Sequence, residues 1–479
     1  MRLVDLIEDI DKYLYIGEDV EISHLSHHSD LCEMGSLFFA IEGTKINGTK
    51  YIESAISNGA VAVVTSKKLK VNIPQVIVDN VRLAMAIISK KFYDNACDRL
   101  KIIGIVGTNG KTTSSYLIKN ILAVSGFSVG LIGTNGIYID NNRIAEDLTT
   151  PDPIDIHRYI SYMVESGVDY CIMEVSAHAI DLYKIAGIKF KVGLYTNISN
   201  EHLDYFGSMK NYINCKKKFF DSRYIEEAVI NVDDEVGMSI AKKNSIPCVT
   251  YGMYNPSNTF AVNVVSNING SKFVVNALDS IISIETSLIG EYNVYNILGA
   301  ISVCKLLSIR DENIECGIRS LENIEGRCNI TKIKNNNYIV IDFAHTPDGM
   351  ENILSVLRRM SKGKIVTIFG CVDYSDTKKR SLMGQVASKY SDYIILTSDN
   401  PNFADVKTIN KDIKYGFHKF KNYTEIEDRV EAIRYGMSML CQDDMLVILG
   451  KGGEKKQVVC GEKLEYNEQK IVNNLLRDL

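Results

Sequence analysis

No apolar run in this 479-residue chain approaches the roughly 18 residues that a membrane-crossing helix requires. Neither sign of charge dominates: 54 Lys and Arg stand against 59 Asp and Glu, a formal balance of −5. Such a chain has no overall field to attract a polyanion, which argues against a nucleic-acid coat. Neither nucleic acid nor a membrane is an expected partner. C-x-x-C pairs are lacking too, and the eleven cysteines are scattered and odd in number, so they cannot pair completely. Cys97, Cys171, Cys304 and Cys371 lie in or beside apolar stretches and read as buried free thiols, which implies a reducing cytoplasm. The opening stretch from Met1 to Asp11 mixes acidic residues with Leu and Ile, and reads as an amphipathic element, not a signal peptide.

What the chain does have is apolar content for several cores and a length suited to about three domains. Short apolar runs recur and end in small or polar residues: Ile102 to Gly107, Tyr170 to Val175, Val192 to Asn197, Tyr338 to Phe343, Lys364 to Gly370, Tyr393 to Ser398 and Met445 to Gly450. Helix-compatible stretches lie between many of them, among them Thr113 to Ser125, Ile154 to Ser166 and Arg380 to Tyr390. Apolar strands alternating with helices predict an α/β chain with parallel sheets covered on both faces. In such sheets ligands sit beyond the carboxyl ends of the strands. Boundaries near Asp98 and Gly326 give a small N-terminal α/β domain (1–98), a central P-loop-containing parallel-sheet domain (99–325) and a C-terminal Rossmann-like α/β domain (326–479). Val294 to Leu321 reads as one helical stretch, and Lys334 to Asn337 as a hairpin tip.

The strongest local signal runs from Gly104 to Thr113. A buried strand enters a turn carrying Gly107, Thr108, Asn109 and Gly110, and a helix begins at Lys111, Thr112 and Thr113. Glycines let successive N–H groups face phosphates, and the helix N-terminus favours negative charge. Lys111 is placed for the β- and γ-phosphates and Thr112 for Mg²⁺. The strict G-x-x-x-x-G-K pattern is broken by Ile105. Downstream, Glu174 closes a strand, where a carboxylate suits Mg²⁺. Then come Ser176 and His178, the run Glu201-His202-Leu203-Asp204-Tyr205, and a helix-compatible stretch with Lys216. Singly, each has a bland reading as a solvated or packed residue; their order after a phosphate loop favours function.

These motifs, with Thr149-Thr150-Pro151-Asp152-Pro153, Leu288 to Asn296, Asp342 to Asp348 and Gly450-Lys451-Gly452, resemble the Mur ligases in order along nearly the whole chain. The resemblance is greatest to the branch that adds the third residue to the peptide of a cell-wall precursor, UDP-N-acetylmuramoyl-L-alanyl-D-glutamate. It implies a cytoplasmic, monomeric ligase using ATP, Mg²⁺, that precursor and a free amino acid, through an acyl phosphate. By the resemblance, Ser29 lies near the uridine, and Thr149, Thr150, Ser176 and Lys184 near the muramoyl-dipeptide. Glu174, His202 and Lys216 match metal-site positions, Lys216 being the lysine carbamoylated in the family, and Thr112 joins them. Asn293 and Asn296 match the adenine side; Arg327 and Asp342 match nucleotide contacts. Asp399, Asn400, Asn402, Gly450 and Glu454 match the amino-acid pocket.

Three departures gather in that pocket. Val372-Asp373-Tyr374-Ser375-Asp376 replaces G-G-D-R-D, with only Asp376 surviving. Asp399-Asn400-Pro401-Asn402 replaces the D-N-P-R of diaminopimelate enzymes, and the missing arginine disfavours diaminopimelate, since charge-assisted hydrogen bonds are worth roughly 1.5–3 kcal/mol each. Gly450-Lys451-Gly452-Gly453-Glu454 replaces G-K-G-H-E, with Glu454 available to an ammonium. A working ligase with altered amino-acid choice is the leading expectation. The alternatives are a paralogue for another substrate, a degenerate nucleotide-binding regulator and a folate polyglutamate ligase. Retention of Lys111, Thr112, Glu174, His202 and Lys216 speaks against the regulator. Gly35 to Ala40 and Asn58 to Ala60 speak for the wall-precursor branch.

Overall fold

The strand Lys101–Val106 lies mid-sheet, hydrogen-bonded in parallel to Tyr170–Glu174 on one side and Phe190–Tyr195 on the other. Val129–Gly133 extends the sheet beyond the first neighbour, and Ile225–Asn231 and Cys248–Gly252 extend it beyond the second. All six run parallel, and all but the outermost, Cys248–Gly252, are largely buried, because helices cover both faces. The protein is described by a computed structural model that covers residues 1–43, 47–145, 148–243, 245–373 and 377–477. Asp376, the surviving acid of the altered motif, lies outside the described residues, as do Tyr374 and Ser375.

Each side of this parallel centre carries an antiparallel wing that the sequence reading did not anticipate. One is Gly136–Ile139 with Asn142–Ala145; the other joins Thr259–Asn267, Gly270–Ala277 and Ser280–Thr286. Ser280–Thr286 alternates buried and open positions, as a strand does when one face is solvated. A second correction concerns 294–321. It forms two helices, Glu291–Leu306 and Asp311–Arg319, because Ser308 takes a left-handed φ of 58° after the first. The first is buried along most of its length and packs in the central core, with Asn293 and Asn296 among its buried positions.

Two smaller sheets flank the centre. The N-terminal one has His24–Ser26, Ser36–Phe39, Ala60–Thr65 and Gln75–Ile77 in parallel, with Leu14–Ile16 antiparallel at the edge. The C-terminal one places Tyr338–Asp342, Met445–Leu449, Ile365–Phe369, Tyr393–Leu396 and Tyr423–Glu425 in parallel, with Asn329–Lys332 antiparallel outside them. The three-sheet α/β architecture matches the expected fold class. Lys334–Asn336 makes the expected tight turn, and Cys97, Cys171, Cys304 and Cys371 are buried free thiols. Among the described residues no helix is long and apolar enough to cross a membrane.

Candidate active site

The phosphate loop leaves Val106 and closes at Gly110, whose φ of 85° starts the helix Lys111–Val124. A Cβ at Gly110 would stand 2.2 Å from Asn296 Oδ1, and one at Gly107 would stand 1.8 Å from Thr196 Oγ1. Those approaches, with the positive φ, require glycine. Ile105, where the strict pattern has glycine, is buried in the sheet core. The neighbouring strand end pins the loop: Asn109 N donates to Asn197 Oδ1 at 3.0 Å, and Thr108 N to the Asn197 carbonyl at 2.9 Å. Lys111 Nζ folds back onto the loop, donating to the carbonyls of Gly107 at 2.9 Å and Thr108 at 2.8 Å. Burial draws its pKa down, against the charges of Glu201 and Glu174. Thr113 lies in the helix's first turn and lines the cavity described below.

Glu174 ends its strand fully buried and is clamped by three hydroxyl or amide donors. Thr112 Oγ1 donates to Oε2 at 3.1 Å, Thr134 Oγ1 to the same oxygen at 3.0 Å, and Thr134 N to Oε1 at 3.2 Å. Thr150 Oγ1 donates to the Glu174 carbonyl at 2.8 Å, and Thr149 Oγ1 lies 3.1 Å from Thr134 Oγ1. Ser176 caps the helix Ala177–Asp181 and donates its own N–H to Thr150 Oγ1 at 3.0 Å. Lys184 Nζ reaches Asp152 at 3.0 Å and the Thr150 carbonyl at 3.3 Å. Thr112, Glu174, Thr149, Thr150, Ser176 and Lys184 thus form one connected network.

Lys216 and His202 belong to a second group. Tyr212 and Lys216 share a face of the helix Met209–Lys217, four residues apart, with the ammonium 4.4 Å from the ring centre. Lys216 Nζ also donates to Thr108 Oγ1 at 3.2 Å, so the side chain is tied to the phosphate loop. Burial pushes its pKa well below that of a free lysine, and the charge of Lys111 adds to the effect. His202, with a left-handed φ of 56°, packs its ring 4.8 Å from that of His178. Burial lowers the pKa of His202, against the pull of Glu201. Glu201 stands between His202 Nε2 at 3.7 Å and His345 Nε2 at 3.5 Å. Burial opposes its ionisation, but the His345 hydrogen bond and the charges of His202, His345 and Lys111 prevail and hold its pKa below the usual carboxylate range.

Among the described residues no three His, Cys, Asp or Glu side chains gather as a ready-made metal centre. Mg²⁺ does not require one, because it keeps several waters and is commonly bound by one or two carboxylates plus substrate phosphates. The Glu174 carboxylate beside the Thr112 hydroxyl, at the foot of a phosphate loop, fits that pattern.

A cavity opens on the far side of the loop, between the central and C-terminal sheets, lined by Asn109, Asn293, Asn296, Arg327, Asp342 and His345 among others. Asn296 Nδ2 donates to Asn293 Oδ1 at 3.0 Å, and Asn293 Nδ2 to the Ile289 carbonyl at 2.9 Å. Arg327 lies 4.4 Å above the Phe343 ring and reaches Thr112 Oγ1. Asp342 accepts the backbone N–H groups of Cys328 at 2.7 Å and Ala344 at 2.8 Å; burial raises its pKa, opposed first by Arg327.

The predicted amino-acid residues form a further cluster around Lys451, a fully buried ammonium. Its Nζ donates to Asn400 Oδ1 at 2.9 Å, Glu454 Oε2 at 2.6 Å and the Lys456 carbonyl at 3.0 Å, and Asn400 Nδ2 donates to the same Glu454 oxygen at 3.0 Å. Gly450, at φ 114°, passes close to Asp399: a Cβ there would lie 2.5 Å from Asp399 Oδ2. Asn402 accepts the N–H of Gly461 on its Oδ1 at 3.0 Å and is tied to a hairpin. Ser29 stands apart from these clusters in the N-terminal domain, its carbonyl accepting from Asn58 Nδ2 at 3.0 Å. Two residues before it, His27 Nε2 lies 3.7 Å from Asp152, where the N-terminal domain meets the central network. Thr134 is named in none of the sequence motifs, whereas Asn197, Glu201 and Lys451 stand in them without an assigned role. Thr134 and Asn197 each follow an apolar strand, the signal that singled out Glu174.

Known proteins resemble the chain along its length. Residues 21–94 match the Mur ligase family catalytic domain, 105–304 the Mur ligase middle domain and 326–452 the Mur ligase glutamate ligase domain. UDP-N-acetylmuramoyl-L-alanyl-D-glutamate–2,6-diaminopimelate ligase 1 of Clostridium acetobutylicum is 37% identical over 484 residues, covering 100% of each chain. A solved structure of a UDP-N-acetylmuramoyl-L-alanyl-D-glutamate–2,6-diaminopimelate ligase superimposes with a TM-score of 0.67 at 28% identity, covering 95% of each chain. A MurF ligase from Thermotoga maritima, solved with ADP, shares the fold at 18% identity and a TM-score of 0.64, over 89% of this chain and 93% of its own.

Proposed function

The chain belongs to the Mur ligase family and is an ATP-dependent acid–amino-acid ligase, and on that premise we propose that it adds the third peptide residue to UDP-N-acetylmuramoyl-L-alanyl-D-glutamate in the cytoplasm. In this reading 1–98 holds the uridine end through Ser29, 99–325 holds ATP and the dipeptide, and 326–479 holds the amino acid. The incoming residue is 2,6-diaminopimelate, the amino acid in the names of its relatives. Those names weigh against the expectation drawn from the missing arginine at 402.

The observation that carries the reading is the Thr112–Glu174–Thr134–Thr149 network, which joins the phosphate loop to the segment assigned to the dipeptide. The γ-phosphoryl group of ATP passes to the D-glutamyl carboxylate, giving ADP and an acyl phosphate. The amine of the incoming residue attacks the acyl carbon, loses a proton, and phosphate departs as the amide forms. Phosphoryl transfer asks little covalent chemistry of a protein, so positioning and charge dominate. Lys111 exchanges its loop carbonyls for phosphate oxygens, and Arg327 adds a second cation beside Thr112. Asn293 and Asn296 bound the nucleotide's cavity, and Arg327 with Asp342 closes it from the C-terminal domain. Mg²⁺, when held by Glu174, Thr112 and the Lys216–His202 group, supplies charge neutralisation on the phosphates.

Lys216 supports this reading through its surroundings: its burial and the nearby charge of Lys111 disfavour the cation, and the Thr108 hydroxyl and the Tyr212 ring offset them only in part. Carbamoylation by CO₂ would turn it into an anion suited to the metal. The test is phosphate release from ATP and Mg²⁺ with the UDP-dipeptide and a panel of amino acids, with Lys111→Ala as control. Turnover that needs one amino acid and vanishes in Lys111→Ala supports the proposal; absence of turnover with every amino acid overturns it.

A further inference from the structure

The helices Lys378–Tyr390 and Val406–Lys414 lie side by side on the C-terminal sheet, and glycines let the backbones meet closely. A Cβ at Gly384 would stand 2.1 Å from the Ile413 carbonyl oxygen, and one at Gly416 would stand 1.8 Å from that of Ser381. The first helix carries no Asp or Glu, and the second carries Asp412 alone. Asp412 is already engaged by the buried Arg380 at 2.8 Å, and Glu425 on the neighbouring edge strand by Lys414. Lys389 is paired as well, with Glu351 at 2.9 Å.

Four lysines are left over. Lys407, Lys411, Lys419 and Lys421 are exposed, and among the described residues none of their ammonium groups has a carboxylate or hydrogen-bond partner. Lys407, Lys411 and Tyr415 follow at i, i+4 and i+8, so they stand in one stripe opposite the buried Val406, Ile409 and Ile413. Like charges four residues apart cost a helix stability, so the sequence keeps them against a local penalty. The turn after the helix is fixed from beneath: the buried Phe417 ring lies 5.8 Å from that of Phe420 and 5.2 Å from that of Tyr423. Lys419 and Lys421 stand exposed on either side of Phe420. Two large apolar side chains lie open beside the close contact at Gly416: Tyr415 is 66% exposed and Leu382 49%. The whole-chain balance of −5 conceals this face.

We propose that this face docks on an anionic lipid bilayer, with the lysines over the headgroups and Tyr415 and Leu382 at the boundary with the acyl chains. The free cations are all lysines, point charges suited to a diffuse negative surface, and none offers the planar fork that grips single phosphates. Tyrosine joins an apolar ring to a polar tip, the combination favoured at a membrane interface. Each lysine near such a surface strengthens binding about fivefold, and the attraction fades within a Debye length, so the contact is peripheral and reversible. It concentrates the enzyme at the membrane face without altering its chemistry, since none of these six residues lines the nucleotide cavity or the cleft around His202 and His345.

The test is co-sedimentation of the full-length protein with vesicles of phosphatidylglycerol and phosphatidylcholine in equal parts, against vesicles of phosphatidylcholine alone. Expected is binding to the mixed vesicles only, falling as salt is added. Lys411→Gln/Lys419→Gln/Lys421→Gln should weaken it about 100-fold with thermal unfolding unchanged. Tyr415→Ser should weaken it while leaving its salt dependence in place. Lys242→Gln/Lys243→Gln removes two exposed lysines from the helix Glu235–Lys243 of the central domain and should bind as the wild type does. Equal binding to both vesicles, binding to neither, a triple variant that binds as the wild type, or an equal loss in the Lys242→Gln/Lys243→Gln variant would overturn the proposal. Capture of single-stranded RNA in place of vesicles, abolished by the same triple substitution, would overturn it too.

Discussion

Arg327 Nη2 donates to Thr112 Oγ1 over 3.0 Å, so a guanidinium from the C-terminal domain touches the hydroxyl that also bonds Glu174. Replacing Arg327 by alanine removes a cation from the phosphate site and a tie between domains. Expected is a loss of kcat of about 100-fold or more, the scale seen when a preorganised charge-stabilising donor is deleted. Arg327→Lys should recover only part of it, since an ammonium lacks the planar fork. Steady-state phosphate release measures both.

Lys216 should behave as a bicarbonate-dependent residue. Enzyme stripped of CO₂ is expected to lose most activity and regain it when bicarbonate is added, and ¹³C-bicarbonate should give a carbamate signal absent from Lys216→Ala. That variant should lose about 100-fold in kcat, with partial rescue by small carboxylates. Full activity without bicarbonate, and no labelled signal, would discard the carbamate.

Arg429 and Glu468 form a fully buried ion pair, with Nε donating to Glu468 Oε1 at 2.7 Å and the other nitrogens to the carbonyls of Ser398 at 3.2 Å and Leu449 at 2.8 Å. Those carbonyls precede Asp399 and Gly450, so the guanidinium braces two strand ends of the amino-acid cluster. Arg429→Met leaves a buried carboxylate without its partner and should cost about 3–5 kcal/mol. Arg429→Met/Glu468→Leu should recover much of that in a denaturation experiment, yet leave the amino-acid KM raised.

His157, on the helix Pro153–Glu165, is fully buried with neither ring nitrogen hydrogen-bonded among the described residues. Burial lowers its pKa to about 3, with the nearby charge of Lys90 adding and that of Asp98 opposing. The folded state therefore keeps the ring neutral, while the unfolded chain takes up a proton near pH 6.5. Stability from this group is present above that pH and is lost as pH falls towards 3, by up to about 1.4 kcal/mol per unit. Thermal unfolding of the wild type should fall more steeply between about pH 6 and 4 than that of His157→Leu.

Much of the site could be read from the chain because buried parallel strands appear as unbroken apolar runs and their last residues are marked by polarity. Glu174 and the phosphate loop announce themselves in this way. Thr134 and Asn197 carry the same mark, each following an apolar strand, but their roles, like that of Lys451, lie in partners 40, 88 and 51 positions away. Spacing along one sequence carries no trace of such pairings. The antiparallel wings escaped for another reason: Thr259 to Thr286 mixes polar residues into alternating strands, which weakens the apolar signal. Position 402 was read as a loss of charge. Its backbone conformation and hairpin contacts emerge only in three dimensions.

On the proposed reading, the cavity assigned to the nucleotide is divided between the central and C-terminal sheets. Asn293 and Asn296 stand on a helix sunk in the central core, whereas Arg327 and Asp342 lie beyond Gly326, on the C-terminal side. A molecule filling that space spends part of its affinity on registering one half against the other. Its apparent dissociation constant is then also a gauge of interdomain alignment, and a substitution at the joint should weaken the nucleotide without touching it.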